Sequence, residues 1–404
     1  MRALLISLGL LSPLAAQTSY ELVLKGGHVI DPKNGIDRVM DVAISGGRIA
    51  RVAANLTGTR VIDAGGLYVT PGLIDIHAHI LIRLREPTEG VQPDAFSFRS
   101  GVTTFVDAGS AGWREFPELR DVFIRPARTR VLAMLNIAGA GMLTGKEDDP
   151  AELDADAAVR MARANPDLIV GFKSAHYAGP GWESIDAAVK AGEATGLPVM
   201  VDFGRINEKR NIGTLFLDKL RPGDIYTHCF SGHREELLEN GRLNPAMAAG
   251  RKRGIIFDTG HGAGSFHWYV AVPAYAEGFH PDSISTDLHI NSMNAGMKDM
   301  LNVASKLLNL GSTLGEVIAM ATWNPARQIR RPALGNLDIG AEADVAVLRL
   351  DRGKFGFVDS AGARYDGSQN LVCEMTLRAG RVVWDLNGRA SQEWKSFPYQ
   401  KRSR

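Results

Sequence analysis

The apolar run PGLIDIHAHI at residues 71–80 ends in two histidines two positions apart. In an extended strand His77 and His79 project to the same side, where two imidazoles can share a cation. An isolated H-x-H is equally the wet end of a strand, so its meaning depends on what else converges there. Polar residues close five further apolar runs: Lys173 in LIVGFKSA, Asp202 in PVMVDFG, His228 in DIYTHCF, His261 in GIIFDTGHG and Asp287 in SISTDLH. Nitrogen and oxygen donors of this kind suit zinc, with manganese, iron or nickel as alternatives. Lys173 joins such a set only by losing its proton. A desolvated lysine beside a metal can then add carbon dioxide and become a carbamate, an anionic ligand whose two oxygens can bridge two ions. The alternative is a metal-free cluster in which Lys173 pairs with Asp202 or Asp287.

The elements that must position these residues follow a repeated plan. Between residues 71 and 333, eight short apolar runs, each ending in polar residues, alternate with helical stretches such as AELDADAAVRMARAN, SIDAAVKAGEAT and MKDMLNVASKLLNL. The eight are GLIDIHAHI, VTTFVDAG, RVLAMLNIA, LIVGFKSA, PVMVDFG, DIYTHCF, GIIFDTGHG and SISTDLH. That count predicts an α/β fold, a closed (β/α)8 TIM-type barrel, whose strand C-termini gather catalytic groups at one mouth. Residues 17–70 read instead as short strands with Gly-Gly turns, and the same texture returns over 334–390 before a tail at 391–404. One small β-sandwich domain assembled from both chain ends is expected.

Bulk properties narrow the partners. The 404 residues are 45% hydrophobic and 23% charged, and 46 basic residues against 45 acidic leave a net charge of +1. Neither nucleic acid nor a membrane surface is indicated by that balance; a small-molecule substrate is, with homo-oligomerisation left open. Two cysteines, Cys229 and Cys373, are too few for a disulfide framework or a thiolate zinc site. The opening MRALLISLGLLSPLAA has one early positive charge, an apolar run too short to span a bilayer and small residues at its end. It reads as a signal peptide over 1–16, implying export to the periplasm or secretion.

Taken together, VIDAGGLYVTPGLIDIHAHI, GFKS, THCFSG, FDTGHGAGSF, ISTDLH and GNLDIGAEADVAVL resemble the amidohydrolase superfamily. The chain is most similar to its deacetylase branch, relatives of dihydroorotase. The resemblance covers residues 20–385 and implies one or two divalent ions, zinc above all. His77, His79 and Asp287 would hold the more buried ion, and N-carboxylated Lys173 would bridge to a second ion held by His228. Asp287 would also be the general acid/base, and His261 would contact substrate near the scissile group. One position departs from the family: strand five ends in Asp202 where a histidine is usual. Aspartate can ligate zinc, and its charge would tighten cation binding while weakening the metal's pull on its water. Alternatively Asp202 anchors a neighbour and the site holds one ion.

The implied chemistry is hydrolysis of an amide, cyclic amide or ester, such as an N-acyl amino acid or acyl hydroxy acid, by hydroxide generated at the metal. Asp287 would relay the proton to the leaving group. A protein that kept the scaffold only to bind a metal or small ligand is the competing reading, since fold alone does not establish activity.

Overall fold

The computed structural model describes residues 19–82, 90–144, 146–204, 206–207 and 209–400. The expected signal peptide therefore lies outside the described residues.

Strands β1 (Ser19–Asp31), β2 (Ile36–Ser45), β3 (Arg48–Ala53), β4 (Thr57–Asp63) and β5 (Tyr68–Pro71) come from the N-terminal part of the chain. They join a sheet with three strands from the other end, β13 (Val345–Val358), β14 (Arg364–Arg378) and β15 (Arg381–Asp385). The order is β15-β14-β13-β5-β1-β2-β3, with β4 beside β1. The seam between the two halves is the antiparallel β5–β13 pair, Pro71 opposite Val345 through Tyr68 opposite Leu348. Leu24, Val42, Val69, Val345 and Leu377 fill the core of this unit. Alternating apolar residues in strands drawn from both ends explain why neither segment closes a core alone.

The barrel strands are β6 (Leu73–Ala78), β7 (Val102–Gly112), β8 (Arg130–Asn136), β9 (Ile169–Ser174), β10 (Val199–Val201), β11 (Ile225–Tyr226) and β12 (Ile256–Phe257). They form one parallel sheet in chain order. The eighth segment, around residues 283–288, pairs too briefly to count as a regular strand, yet it bridges both free edges: Asp258 to Ser283 on one side and Ala78 to Leu288 on the other. The barrel is thereby closed. Ile74, Val106, Leu132, Val170, Met200 and Ile225, one from each of six strands, form an apolar cluster across it. The larger core lies between these strands and the helices at Ala155–Ala164, Glu183–Thr195, Pro245–Arg253, Trp268–Ala276 and Met300–Leu310. The stretch TLGEVIAMATWNPARQI, readable as one helix, breaks at Thr322 into Leu314–Ala321 and Trp323–Gln328. Pro325 cannot donate to the preceding turn, and the break falls there. Among the described residues no helix is long and apolar enough to cross a membrane. Both cysteines are buried and neither forms a disulfide.

Candidate functional site

The strand ends bring His77, His79, Lys173, Asp202, His228 and Asp287 to one cavity of about 430 Å³. Their hydrogen bonds fix which atoms face it. His77 Nδ1 lies 2.9 Å from the Thr227 hydroxyl, which gives its single proton to Asp258 Oδ2 at 2.8 Å. The hydroxyl oxygen must therefore accept from His77 Nδ1–H, leaving a lone pair on Nε2. His228 Nδ1 lies 2.5 Å from the Gly260 carbonyl, which can only accept, so Nδ1 carries a proton and Nε2 is the nitrogen left to bind in the cavity. Each Nε2 faces a carboxylate oxygen: His77 Nε2 is 3.4 Å from Asp287 Oδ1, and His228 Nε2 is 3.4 Å from Asp202 Oδ2.

Acceptors facing one another repel unless a donor or cation lies among them; Lys173 Nζ at 3.2 Å is one such partner for His77 Nε2. Donors bound to one zinc ion at roughly 2.0–2.1 Å with tetrahedral angles sit about 3.4 Å apart, so the observed spacing fits a metal. Donor atoms of His77, His228 and Asp287 all lie within 4.8 Å of one another. His79 adds Nε2 at 2.9 Å from Asp287 Oδ1, its Nδ1 being held 2.9 Å from Ser110 Oγ. Lys173 Nζ sits 3.2 Å from His77 Nε2. Among the described residues it makes no direct ion pair with Asp202 or Asp287.

Protonation states agree with a ligand set. Burial, reinforced by Lys173, holds His77 well below the usual imidazole range. Burial also lowers the Lys173 ammonium, outweighing the pull of Asp202 and Asp287, and so favours the free amine that carboxylation requires. Burial opposes ionisation of Asp287, and only positive charge at the surrounding imidazoles holds its carboxyl low; with His77 neutral, that charge is what a bound cation would supply. For Asp202 burial is likewise overcome, by His176, His228 and Arg234.

Three of the seven non-glycine residues with a left-handed backbone among the described residues stand at this site. His176, His228 and Asp287 adopt left-handed φ values of 49°, 63° and 50°, which non-glycine residues seldom do. Close packing underlies these turns. Gly262 has φ 57°, and a Cβ there would lie 2.4 Å from Asp287 Oδ2.

Asp202 is more heavily engaged than its place in the sequence foretells. Arg234 donates to its Oδ1 and also to the Phe203 carbonyl, while His176 Nε2 lies 2.8 Å from Oδ2. Neither partner stands at a strand end: His176 follows β9 and Arg234 follows β11. The only sequence signals were a histidine three residues after Lys173 and a charged HREE run after THCFSG. Arg210, readable as an anion-binding candidate, is buried instead and donates to the carbonyls of Tyr177 and Gly179 at 2.8 and 2.9 Å. Arg205 lies outside the described residues. His233 Nε2 sits 2.6 Å from the Gly264 carbonyl, and His289 lines the cavity.

Direct substrate contact by His261 is not supported by this geometry. Its ring is fully buried, does not line the cavity and stacks on Phe266. Its Nε2 is 2.6 Å from Lys306 Nζ, and Ala263, Gly264 and Ser265 form the wall in its place. The turn of the TGHG loop carries the side chain inward, a direction that strand-end counting does not supply.

Fold and site define a hydrolase of C–N bonds. Residues 265–383 match the amidohydrolase family. A deacetylase of Agrobacterium fabrum is 34% identical over 80% of this chain and 81% of its own length, and one of Enterococcus faecalis is 28% identical over 90% and 99%. Solved structures of an adenine deaminase and a dihydroorotase superpose with TM-scores of 0.82 and 0.79 at 26% and 28% identity. They cover 91% and 90% of this chain and 100% and 97% of theirs. The chain belongs to the amidohydrolase family, and it hydrolyses amide bonds.

Proposed function

We propose that the protein is a metal-dependent deacylase of small N-acyl or O-acyl compounds, N-acyl amino acids and acyl hydroxy acids being the substrate classes to try first. The observation that carries this reading is the pair of imidazole Nε2 atoms, of His77 and His228, that face carboxylate oxygens at 3.4 Å. His77, His79 and Asp287 would hold one divalent ion, with Lys173 as a carbamate and His228 reaching toward a second, and zinc suits this donor set best. Such ions polarise the scissile carbonyl and lower the pKa of water toward neutrality.

The protein's own groups do the rest. Asp287, ionised and within 2.9 Å of His79 Nε2, accepts the proton of the attacking water and returns it to the departing nitrogen or oxygen. Thr227 and Ser110 hold the His77 and His79 rings in position from behind. The modest cavity and the deacetylase relatives support a small acyl substrate over a polymer. Asp287→Asn tests the assignment. Turnover should fall at least ~100-fold, the lower end of what a positioned acid/base contributes, in protein that still contains metal. Near-normal turnover in metal-loaded Asp287→Asn would remove the residue from that role.

A further inference from the structure

Strand five offers Asp202 at the place where a second imidazole would complete a site with His228, and the structure brings an imidazole there from another loop. His176 leaves β9 three residues after Lys173, lines the cavity and sets Nε2 2.8 Å from Asp202 Oδ2. The same carboxylate oxygen is 3.4 Å from His228 Nε2. One carboxylate oxygen thus faces two imidazole nitrogens, and His228 also lies within 4.8 Å of the donor atoms of His77 and Asp287. We propose that His176 is a ligand of the second metal ion, supplying the imidazole that strand five lacks. The proposal rests on the metal-dependent reading above.

Three features of the surroundings argue for it. Arg234 occupies Asp202 Oδ1, so the carboxylate has only Oδ2 to offer and cannot bind in bidentate fashion. A further donor is wanted there, and His176 is the side chain that touches that oxygen; without metal it does so as an ion-pair partner, a role a cation at Oδ2 would take over. Glu147 Oε1 lies 3.3 Å from His176 Nδ1, the carboxylate–imidazole arrangement that commonly orients a metal-binding histidine. Finally, His176 keeps a left-handed backbone, φ 49°. That conformation is unfavourable for a non-glycine residue and recurs where surrounding structure holds a functional side chain in place.

The test counts metal in the full-length protein, independently of turnover. Zinc equivalents are measured after equilibrium dialysis, and Co2+ is substituted so that its visible absorption reports the donor atoms. His176→Asn is the variant of choice, because asparagine tolerates the left-handed backbone and its side chain ends short of the cavity. The expected result is two equivalents in the unaltered protein, about one in His176→Asn with a changed Co2+ spectrum, and a return to two in His176→Asn/Asp202→His. Glu147→Gln should weaken the second equivalent by roughly 10- to 100-fold. Two tightly held equivalents with an unchanged spectrum in His176→Asn overturn the proposal. A single equivalent in the unaltered protein overturns it too, while leaving metal-dependent hydrolysis at His77, His79 and Asp287 standing. If the unaltered protein holds none, both readings fall.

Discussion

Removing the guanidinium of Arg234 should expose how the site tolerates Asp202. The two side chains are 7% and 4% exposed, so the pair is desolvated, and Arg234 also donates to the Phe203 carbonyl and to Ser231 Oγ at 3.2 Å. Deleting one partner of a buried ion pair leaves an uncompensated charge and costs about 3–5 kcal/mol. His176 and His228 remain beside Asp202, so the lower end, ~3 kcal/mol, is the value expected for Arg234→Met in metal-free protein. A divalent ion next to Asp202 would neutralise the same charge. In zinc-loaded protein the loss should therefore shrink to ~1–2 kcal/mol, the worth of the lost hydrogen bonds to neutral acceptors. Urea unfolding of metal-free and zinc-loaded protein measures both values. A double-mutant cycle assigns them: in an Asp202→Asn background, Arg234→Met should cost under ~1.5 kcal/mol even without metal. An equal cost in both backgrounds, or a cost that zinc does not reduce, would refute the charge argument.

Two further outcomes follow from the same geometry. Gly262→Ala should lower turnover while largely sparing the fold, because the new Cβ would push on Asp287 Oδ2 from 2.4 Å; unchanged kinetics would show that Asp287 has room to move. Burial pushes the Lys306 ammonium down to about 7, against the opposing pull of Asp359. The folded state then binds fewer protons than the unfolded one between pH 7 and the ordinary lysine range, so this residue makes stability rise with pH there, by up to ~1.4 kcal/mol per pH unit. Lys306→Met should remove that rise, and an unaltered slope between pH 7.5 and 9.5 would contradict it.

How much could be read from the sequence depended on whether a residue sat at a strand end. His77, His79, Lys173, His228 and Asp287 reach one cavity because parallel strands of a barrel share an end, a property that follows from strand count and alternation. The two-ended β domain was legible for a similar reason, since the period changes where the barrel begins. What was not legible came from loops and from side-chain direction. His176 and Arg234 arrive from turns after β9 and β11, where no period predicts orientation. His261 sits at the expected strand end, but the loop between Gly260 and Gly262 rotates its ring toward Lys306. Lys306 lies in a helix whose stretch from Val303 to Leu308 is buried throughout, a setting that only packing against the barrel creates. The eighth strand was correctly placed in sequence, although its pairing is reduced to isolated bridges, because strand propensity does not report how long a ladder lasts.

The central claim is that metal and Asp287 together cleave an acyl bond. The most direct measurement is acyl release, followed as acetate, from a panel of N-acetyl amino acids and O-acetyl hydroxy acids. It is run on metal-free protein titrated with zinc, beside Asp287→Asn loaded to the same metal content. The account predicts that at least one member of the panel is hydrolysed, that activity rises with zinc until the site is filled, and that the variant stays at least ~100-fold slower throughout. Hydrolysis that is equally fast without metal, or equally fast in the variant, would contradict it.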